Sequence, residues 1–160
     1  MDQQRRRWMR SGAGATLLGL LAAGGWPEAG RAADPRAQAW NRAAFDTHSV
    51  TDTMQALGSL GAKQSKDIVF VQTPEIAENG AVVPIGVRSD IPKTESIAIV
   101  IEKNPNPLAA IFDIPAGTEP AISTRVKMAQ TANIYALVRA DGKYYVATRE
   151  VKVTLGGCGG

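Results

Sequence analysis

The sequence predicts an all-β protein: an immunoglobulin-like antiparallel sandwich, preceded by short N-terminal helices and followed by a flexible Gly-Gly-Cys-Gly-Gly arm. Three observations predict it. After Lys66 the pattern changes from a helical period to alternation at a period of two, the spacing of strands. Turn-forming residues interrupt that alternation at regular intervals, and no helical period appears between them. The 160 residues suit one ordinary domain, and the hydrophobic fraction of 44% is normal for a chain that buries its own core.

Residues 1–32 read as an export signal. Arg5, Arg6, Arg7 and Arg10 precede an apolar stretch, Ala13–Ala23; Pro27 breaks it, and the small residues Gly30, Ala32 and Ala33 follow. That is the order of a secretory signal, and the apolar stretch is too short to span a bilayer. The run Arg5-Arg6-Arg7-Trp8-Met9-Arg10 is similar to a twin-arginine signal, an address read by a receptor, with Arg5 and Arg6 at its head. A cleaved Sec signal or an uncleaved anchor is the plainer alternative. Cleavage is expected after Ala32. No second apolar stretch is long enough to cross a membrane, so the mature protein is expected in the periplasm with no membrane contact.

The signal also accounts for the sequence pI of about 9.2. It holds five arginines, Arg5, Arg6, Arg7, Arg10 and Arg31, against Asp2 and Glu28, and the rest of the chain carries equal numbers of basic and acidic residues. No electrostatic footprint for DNA or RNA survives, so nucleic acid is excluded as a partner.

Residues 33–66 form the expected helical segment. Asp34 is a good N-cap and Pro35 suits the first helical position; Ala37, Trp40, Ala44 and Phe45 follow near helical spacing. Ser49 can cap a second helix, with Asp52 three residues on as in a capping box. Met54, Leu57 and Leu60 would form its apolar stripe, and Gly58 and Gly61 would end it.

Residues 67–155 form the expected sandwich. The strands are read at Ile68–Val71; at Val83, Ile85 and Val87; at Ile97, Ile99 and Ile101; and at Ile122, Thr124, Val126 and Met128. Ile134, Ala136 and Val138 then alternate against Tyr135, Leu137 and Arg139, and a last run covers Tyr144–Leu155. Asp141-Gly142 between the final two is a strong hairpin signal, because a type I′ turn needs positive φ at both central residues. Asn79-Gly80, Asn104-Pro105-Asn106-Pro107 and Pro115-Ala116-Gly117 supply turns elsewhere. Six or seven strands in this pattern make a sandwich of immunoglobulin type.

Chemistry has few places to sit. His48 is the one histidine and Cys158 the one cysteine, and no metal-ligand spacing occurs. His48 stands beside a predicted helix start and reads as a surface or capping residue. No catalytic residue and no metal ligand is assigned. The remaining feature is residues 156–160, where Gly156, Gly157, Gly159 and Gly160 surround Cys158. Glycine loses the most entropy on ordering, so this arm is expected to be extended and mobile. A single cysteine cannot close an internal disulfide, and a free thiol in an oxidising compartment is a liability without a use. With a thiol pKa of about 8.5, a small thiolate fraction exists at neutral pH, and the bare glycines leave the sulfur open on every side. The arm therefore reads as a thiol for delivery into the active sites of other proteins.

Other readings stand beside that one. An exported structural sandwich could use Cys158 for an intermolecular disulfide. A lipid anchor would need its cysteine just after the signal, or a C-a-a-X box that Cys-Gly-Gly does not make. A terminal Gly-Gly is shared with ubiquitin-like sulfur carriers, but their activation needs ATP, which is not available outside the cytoplasm.

Three segments together resemble the SoxY family, the Y subunits of the bacterial Sox thiosulfate-oxidation system. They are Pro74-Glu75-Ile76-Ala77-Glu78-Asn79-Gly80-Ala81-Val82-Val83-Pro84, Glu102-Lys103-Asn104-Pro105-Asn106-Pro107-Leu108-Ala109 and Val151-Lys152-Val153-Thr154-Leu155-Gly156-Gly157-Cys158-Gly159-Gly160. The last is the family's signature. The resemblance implies that Cys158 carries sulfur intermediates covalently while the protein itself is no enzyme and holds no cofactor. It implies a heterodimer with SoxZ, and transient visits to three enzymes. Haem-containing SoxAX joins thiosulfate to the thiol, SoxB hydrolyses off sulfate, and SoxCD, where present, oxidises the remaining sulfur.

Overall fold

Two short helices come first in the computed structural model, which describes residues 41–154. The signal, the Asp34-Pro35 helix start and the arm lie outside the described residues. Helix α1 spans Arg42–Phe45, with the Asn41 side chain accepting from the Ala44 N–H. Helix α2 spans Val50–Ala56, and the Ser49 hydroxyl accepts from the Asp52 N–H at 3.0 Å, the expected cap. Thr53, on its inner side, is fully buried; its hydroxyl donates to the Ser49 carbonyl at 2.8 Å, so nothing polar is left unpaired there.

The strands are β1 (Lys63–Gln64), β2 (Ile68–Val71), β3 (Ile76–Ala77), β4 (Val83–Ser89), β5 (Thr94–Ile101), β6 (Leu108–Asp113), β7 (Ala121–Val126), β8 (Ala132–Ala140) and β9 (Lys143–Val153). They form two sheets, one ordered β2-β4-β7 and one ordered β1-β9-β8-β5-β6, with β3 also paired to β9. Seven of these strands reproduce an immunoglobulin-type order, with the strand after the first crossover to the larger sheet joining that sheet as a hairpin partner. The fold class is therefore as the sequence predicts.

Side-chain alternation builds the core between the sheets. Val83, Ile85 and Val87 of β4 face Ile97, Ile99 and Ile101 of β5 and Ile134, Ala136 and Val138 of β8, all of them essentially inaccessible. Burying each such branched side chain stabilises the fold by about 1.5–3 kcal/mol before entropy is counted. The opposite face of the larger sheet is covered as well. Ala98, Val100, Leu108, Leu137 and Val146 form a second cluster there with Ala44, against which Phe45, Val50, Met54 and Leu57 pack. The helices are thus a third layer, which is why β5 and β8 are apolar on both faces.

The hairpin between β8 and β9 has Asp141 at φ 49° and Gly142 at φ 70°, the two positive values that a type I′ turn requires. Gly117 at φ 83°, with the Thr118 N–H on the Pro115 carbonyl at 3.1 Å, makes a type II turn of Pro115-Ala116-Gly117.

The structure departs from the sequence reading in five places. Strand β7 ends at Val126, so Met128, read as part of that strand, is buried but lies beyond it. Strand β6 was not expected, because Ala109 and Ala110 blunt its alternation. Within the expected helical segment 33–66 the described residues are helical only at Arg42–Phe45 and Val50–Ala56, and Lys63–Gln64 already pairs with Tyr145 and Val146 of β9. The sandwich is not wholly antiparallel: β1 and β3 both run parallel to β9. Finally, Leu60 is 57% exposed and does not join the stripe of α2, which ends at its Leu57 C-cap.

Candidate functional site

The predicted site residues, Cys158 with Gly156, Gly157, Gly159 and Gly160, and the signal residues Arg5 and Arg6, all lie outside the described residues. What the structure places is the root from which the arm departs, the end of β9. Alternation along β9 points Val151 into the core between the sheets and leaves Glu150 and Lys152 outward, so the strand is anchored by one face.

Its backbone is held on both sides. The β8 ladder ends at the pair Ala132 and Val151. Beyond it the Thr131 hydroxyl takes over, accepting from the Val153 N–H at 2.9 Å and lying 3.5 Å from the Val153 carbonyl oxygen. On the other side β3 runs alongside, with the Lys152 N–H donating to the Glu75 carbonyl at 2.9 Å and the Thr154 N–H to the Ala77 carbonyl at 3.1 Å. Three successive N–H groups, at residues 152, 153 and 154, therefore have acceptors.

Packing closes the same spot. Gly80 lies so near that a Cβ on it would stand 2.5 Å from the Met128 carbonyl oxygen and 2.9 Å from Val153 Cγ1. The Met128 N–H donates to the Gly80 carbonyl at 2.7 Å. Asn79-Gly80 does form a turn, with the Ala81 N–H on Asn79 Oδ1 at 2.9 Å, but the glycine is there for space beside Val153. Sequence reasoning missed Thr131, Ala77 and Gly80 as parts of the site. The signal available was position alone: Thr131 stands just ahead of a strand, where a hydroxyl can extend a ladder.

Strand β3 owes its place to a crossover from the smaller sheet. After β2 ends at Val71, Gln72 takes φ 54° and the buried Thr73 turns the chain toward β9. The Arg149 guanidinium donates to the Thr73 carbonyl at 3.0 Å and sits 5.4 Å from the centre of the Phe70 ring, a cation–π distance.

The loops near the root bind each other. Asn104 donates from Nδ2 to the Lys127 carbonyl at 2.7 Å and accepts at Oδ1 from the Ala129 N–H at 3.1 Å. Asn106 Nδ2 donates to the Phe45 carbonyl at 3.1 Å, and His48 Nδ1 lies 3.0 Å from the Pro105 carbonyl oxygen, which can only accept. His48 thus tethers the Asn-Pro loop to the helix layer. Burial and the nearby Glu102 charge raise the pKa of Tyr135 on the same face, so its phenol stays neutral.

A cavity of about 540 Å³ lies at the opposite end of the sandwich, lined by Ser89, Ile91, Thr94, Ile114 and Pro120 among others. On its rim Arg139 donates to Glu95 at 2.6 Å, a bond that raises the arginine pKa further. Strand β9, eleven residues long, runs from that end to the root and spans about 35 Å. From Thr154 to Cys158 the backbone extends at most about 14 Å. The thiol cannot reach this cavity. Among the described residues no group of His, Cys, Asp or Glu is placed to hold a metal ion, and no helix is long and apolar enough to cross a membrane.

Comparison with known proteins adds the family. No curated protein matches the chain. Among solved structures, the sulfur carrier protein SoxY from Chlorobium limicola f thiosulfatophilum is 40% identical with a TM-score of 0.57, covering 66% of this chain and 96% of that one. A superoxide reductase (neelaredoxin) variant from Ignicoccus hospitalis is 18% identical with a TM-score of 0.48, covering 62% of this chain and 87% of the other. The family described as sulfur oxidation protein SoxY matches residues 53–158, a span that takes in α2 from Thr53, every strand and the cysteine. On that match, together with the shared sandwich, this chain belongs to the SoxY family.

Proposed function

We propose that this protein is a sulfur carrier in thiosulfate oxidation, holding its cargo covalently on Cys158 and presenting it to partner enzymes. What supports the reading is the family match through Cys158, joined to a strand whose last residues are fixed and are followed by Leu155 and then the glycines. In the loading step the thiolate sulfur bonds to the outer sulfur of thiosulfate, and two electrons pass to the joining enzyme. Hydrolysis by water then releases the inner, sulfonate sulfur as sulfate and leaves the outer sulfur on Cys158 as a persulfide. The protein supplies no acid, base or metal for these steps; it is the substrate of enzymes that do.

The partners in this reading are SoxZ, as a heterodimer, with SoxAX, SoxB and SoxCD as transient visitors. An edge strand supports the heterodimer: β6 pairs only with β5, and Leu108 to Phe112 carry no charge and no proline to discourage another strand. Residues 1–32 serve as the twin-arginine signal that brings the chain to the periplasm, where no cofactor is needed.

Intact mass tests both halves of the reading. The periplasmic protein from cells given thiosulfate should weigh what residues 33–160 weigh plus a sulfur adduct. Reductant should remove the adduct, and fragmentation should map it to Cys158. An unmodified thiol throughout turnover would refute the carrier.

The glycines can be tested separately. Replacing Gly156 and Gly157 with valine keeps the length of the arm but adds bulk beside the thiol and stiffens χ1. Turnover with the partner enzymes should fall about tenfold, the cost of one misfit worth about 1.4 kcal/mol. Alkylation of Cys158 by a small reagent should keep its rate. A cysteine used only for a disulfide link would tolerate the change.

A further inference from the structure

We infer that Thr131 is a positioning residue for Cys158, one whose hydroxyl fixes where the arm begins. The inference rests on the carrier reading above and concerns a residue that no catalytic or carrier role requires. A strand leading into a glycine-rich segment has every reason to fray, because each peptide released gains backbone entropy. Here the β8 ladder stops at Val151, two residues before β9 does. Without a further acceptor, the Val153 N–H would face the β8 side with no partner.

The Thr131 side chain fills that gap. Its Oγ1 accepts from the Val153 N–H at 2.9 Å and lies 3.5 Å from the Val153 carbonyl oxygen, so one hydroxyl stands in for a ladder rung. With Val153 held on this side, Lys152 and Thr154 keep their bonds to Glu75 and Ala77 on the other. The missing Cβ of Gly80 leaves the space that Val153 Cγ1 needs. The pinned backbone thus reaches Thr154, and the thiol belongs to the fourth residue beyond it.

Arm length matters because a tethered group acts at an effective concentration that falls as roughly the −3/2 power of tether length. Freeing residues 152–154 would lengthen the tether from four residues to seven. That alone should lower the effective concentration of the thiol at an enzyme's mouth about twofold. It would also add the Lys152, Val153 and Thr154 side chains to a tether that otherwise carries Leu155 alone before the glycines.

The test uses the full chain with its partner enzymes. Thr131→Val keeps the shape and removes the hydroxyl. Amide exchange at Val153 and Thr154 should quicken at least tenfold, and KM for the carrier should rise about twofold, the factor expected from length alone, with kcat unchanged. Thr131→Ser keeps the hydroxyl and should restore both. Alkylation of Cys158 by iodoacetamide should proceed at the wild-type rate in each. A second variant leaves Thr131 alone: three glycines inserted between Thr154 and Leu155 should reproduce the same rise in KM. Unchanged exchange in Thr131→Val would overturn the inference, as would unchanged KM in either that variant or the insertion. Cys158→Ser run alongside separates the two levels. If turnover survives the loss of the thiol, the carrier reading itself has failed; if it vanishes while Thr131→Val behaves as wild type, only the positioning role has.

Discussion

Cys158→Ser is expected to abolish thiosulfate-dependent turnover by the partner enzymes while leaving the melting temperature within about 2 °C of wild type, since a substitution outside the core and away from special features costs at most about half a kcal/mol. The loss should be complete because the cargo is held by a sulfur–sulfur bond. A serine oxygen cannot make that bond, and its hydroxyl has no thiolate-like form near neutral pH. Stability should not respond, because the core lies between the sheets and beneath the helices. The last residue that β3 holds is Thr154, four positions earlier. A coupled assay and calorimetry on the same preparation check both halves. Residual turnover would mean that cargo is carried elsewhere, and a marked fall in melting temperature would make the cysteine structural.

Most of the sandwich was legible because its elements follow local rules that tertiary structure did not override. Ile97, Ile99 and Ile101 fall at a period of two and are buried as read. Asp141-Gly142 has the backbone that its residues favour. Ser49 caps the helix it was expected to cap. What escaped has no local pattern to read. Strands of two residues, such as Lys63–Gln64 and Ile76–Ala77, have no period at all and exist because β9 offers an edge. Strand β6 is half-buried on both faces, with Phe112 against the inter-sheet core and Ile111 against the helix layer, so neither face alternates.

The candidate site divides in the same manner. Cys158 and its glycines stand out because their composition is unusual and needs no neighbours to interpret. The root is built instead from contacts between residues 22 and 77 positions apart, Thr131 with Val153 and Ala77 with Thr154. Nothing in the local sequence of either partner announces such a pairing. Asn79-Gly80 shows how a correct local reading can still miss the reason for a residue. The turn is real, yet what Gly80 contributes is the missing Cβ beside Val153.

Gly86→Ala should be the most damaging single change within the described residues relative to its size. Gly86 lies in β4 opposite Val71 of β2, and an added Cβ would stand 2.3 Å from the Val71 carbonyl oxygen and 3.0 Å from Val71 Cγ2. The first of these is backbone, so no side-chain rotation relieves it. Nor can the neighbourhood easily open, because Thr73 locks the two chains together there. Its hydroxyl accepts from the Gly86 N–H at 3.2 Å and lies 3.2 Å from the Gly86 carbonyl oxygen. Overpacking of this kind costs about 2–3 kcal/mol. That corresponds to a drop in melting temperature of roughly 10 °C for a domain near this size. The effect should also travel. Val71 is where β2 gives way to the crossover that delivers β3 to the arm root, so displacing it should loosen Ala77 from Thr154. Amide exchange at Thr154 should therefore quicken in Gly86→Ala by more than global destabilisation explains. The comparison is with a core variant such as Ile99→Ala, whose typical cost of about 2–5 kcal/mol spans that of Gly86→Ala. If Gly86→Ala melts within about 2 °C of wild type, a shift worth less than about 1 kcal/mol, the close approach of β2 to β4 is not a constraint on this fold. If it melts early but Thr154 exchanges no faster than in Ile99→Ala, the crossover and the arm root are mechanically separate.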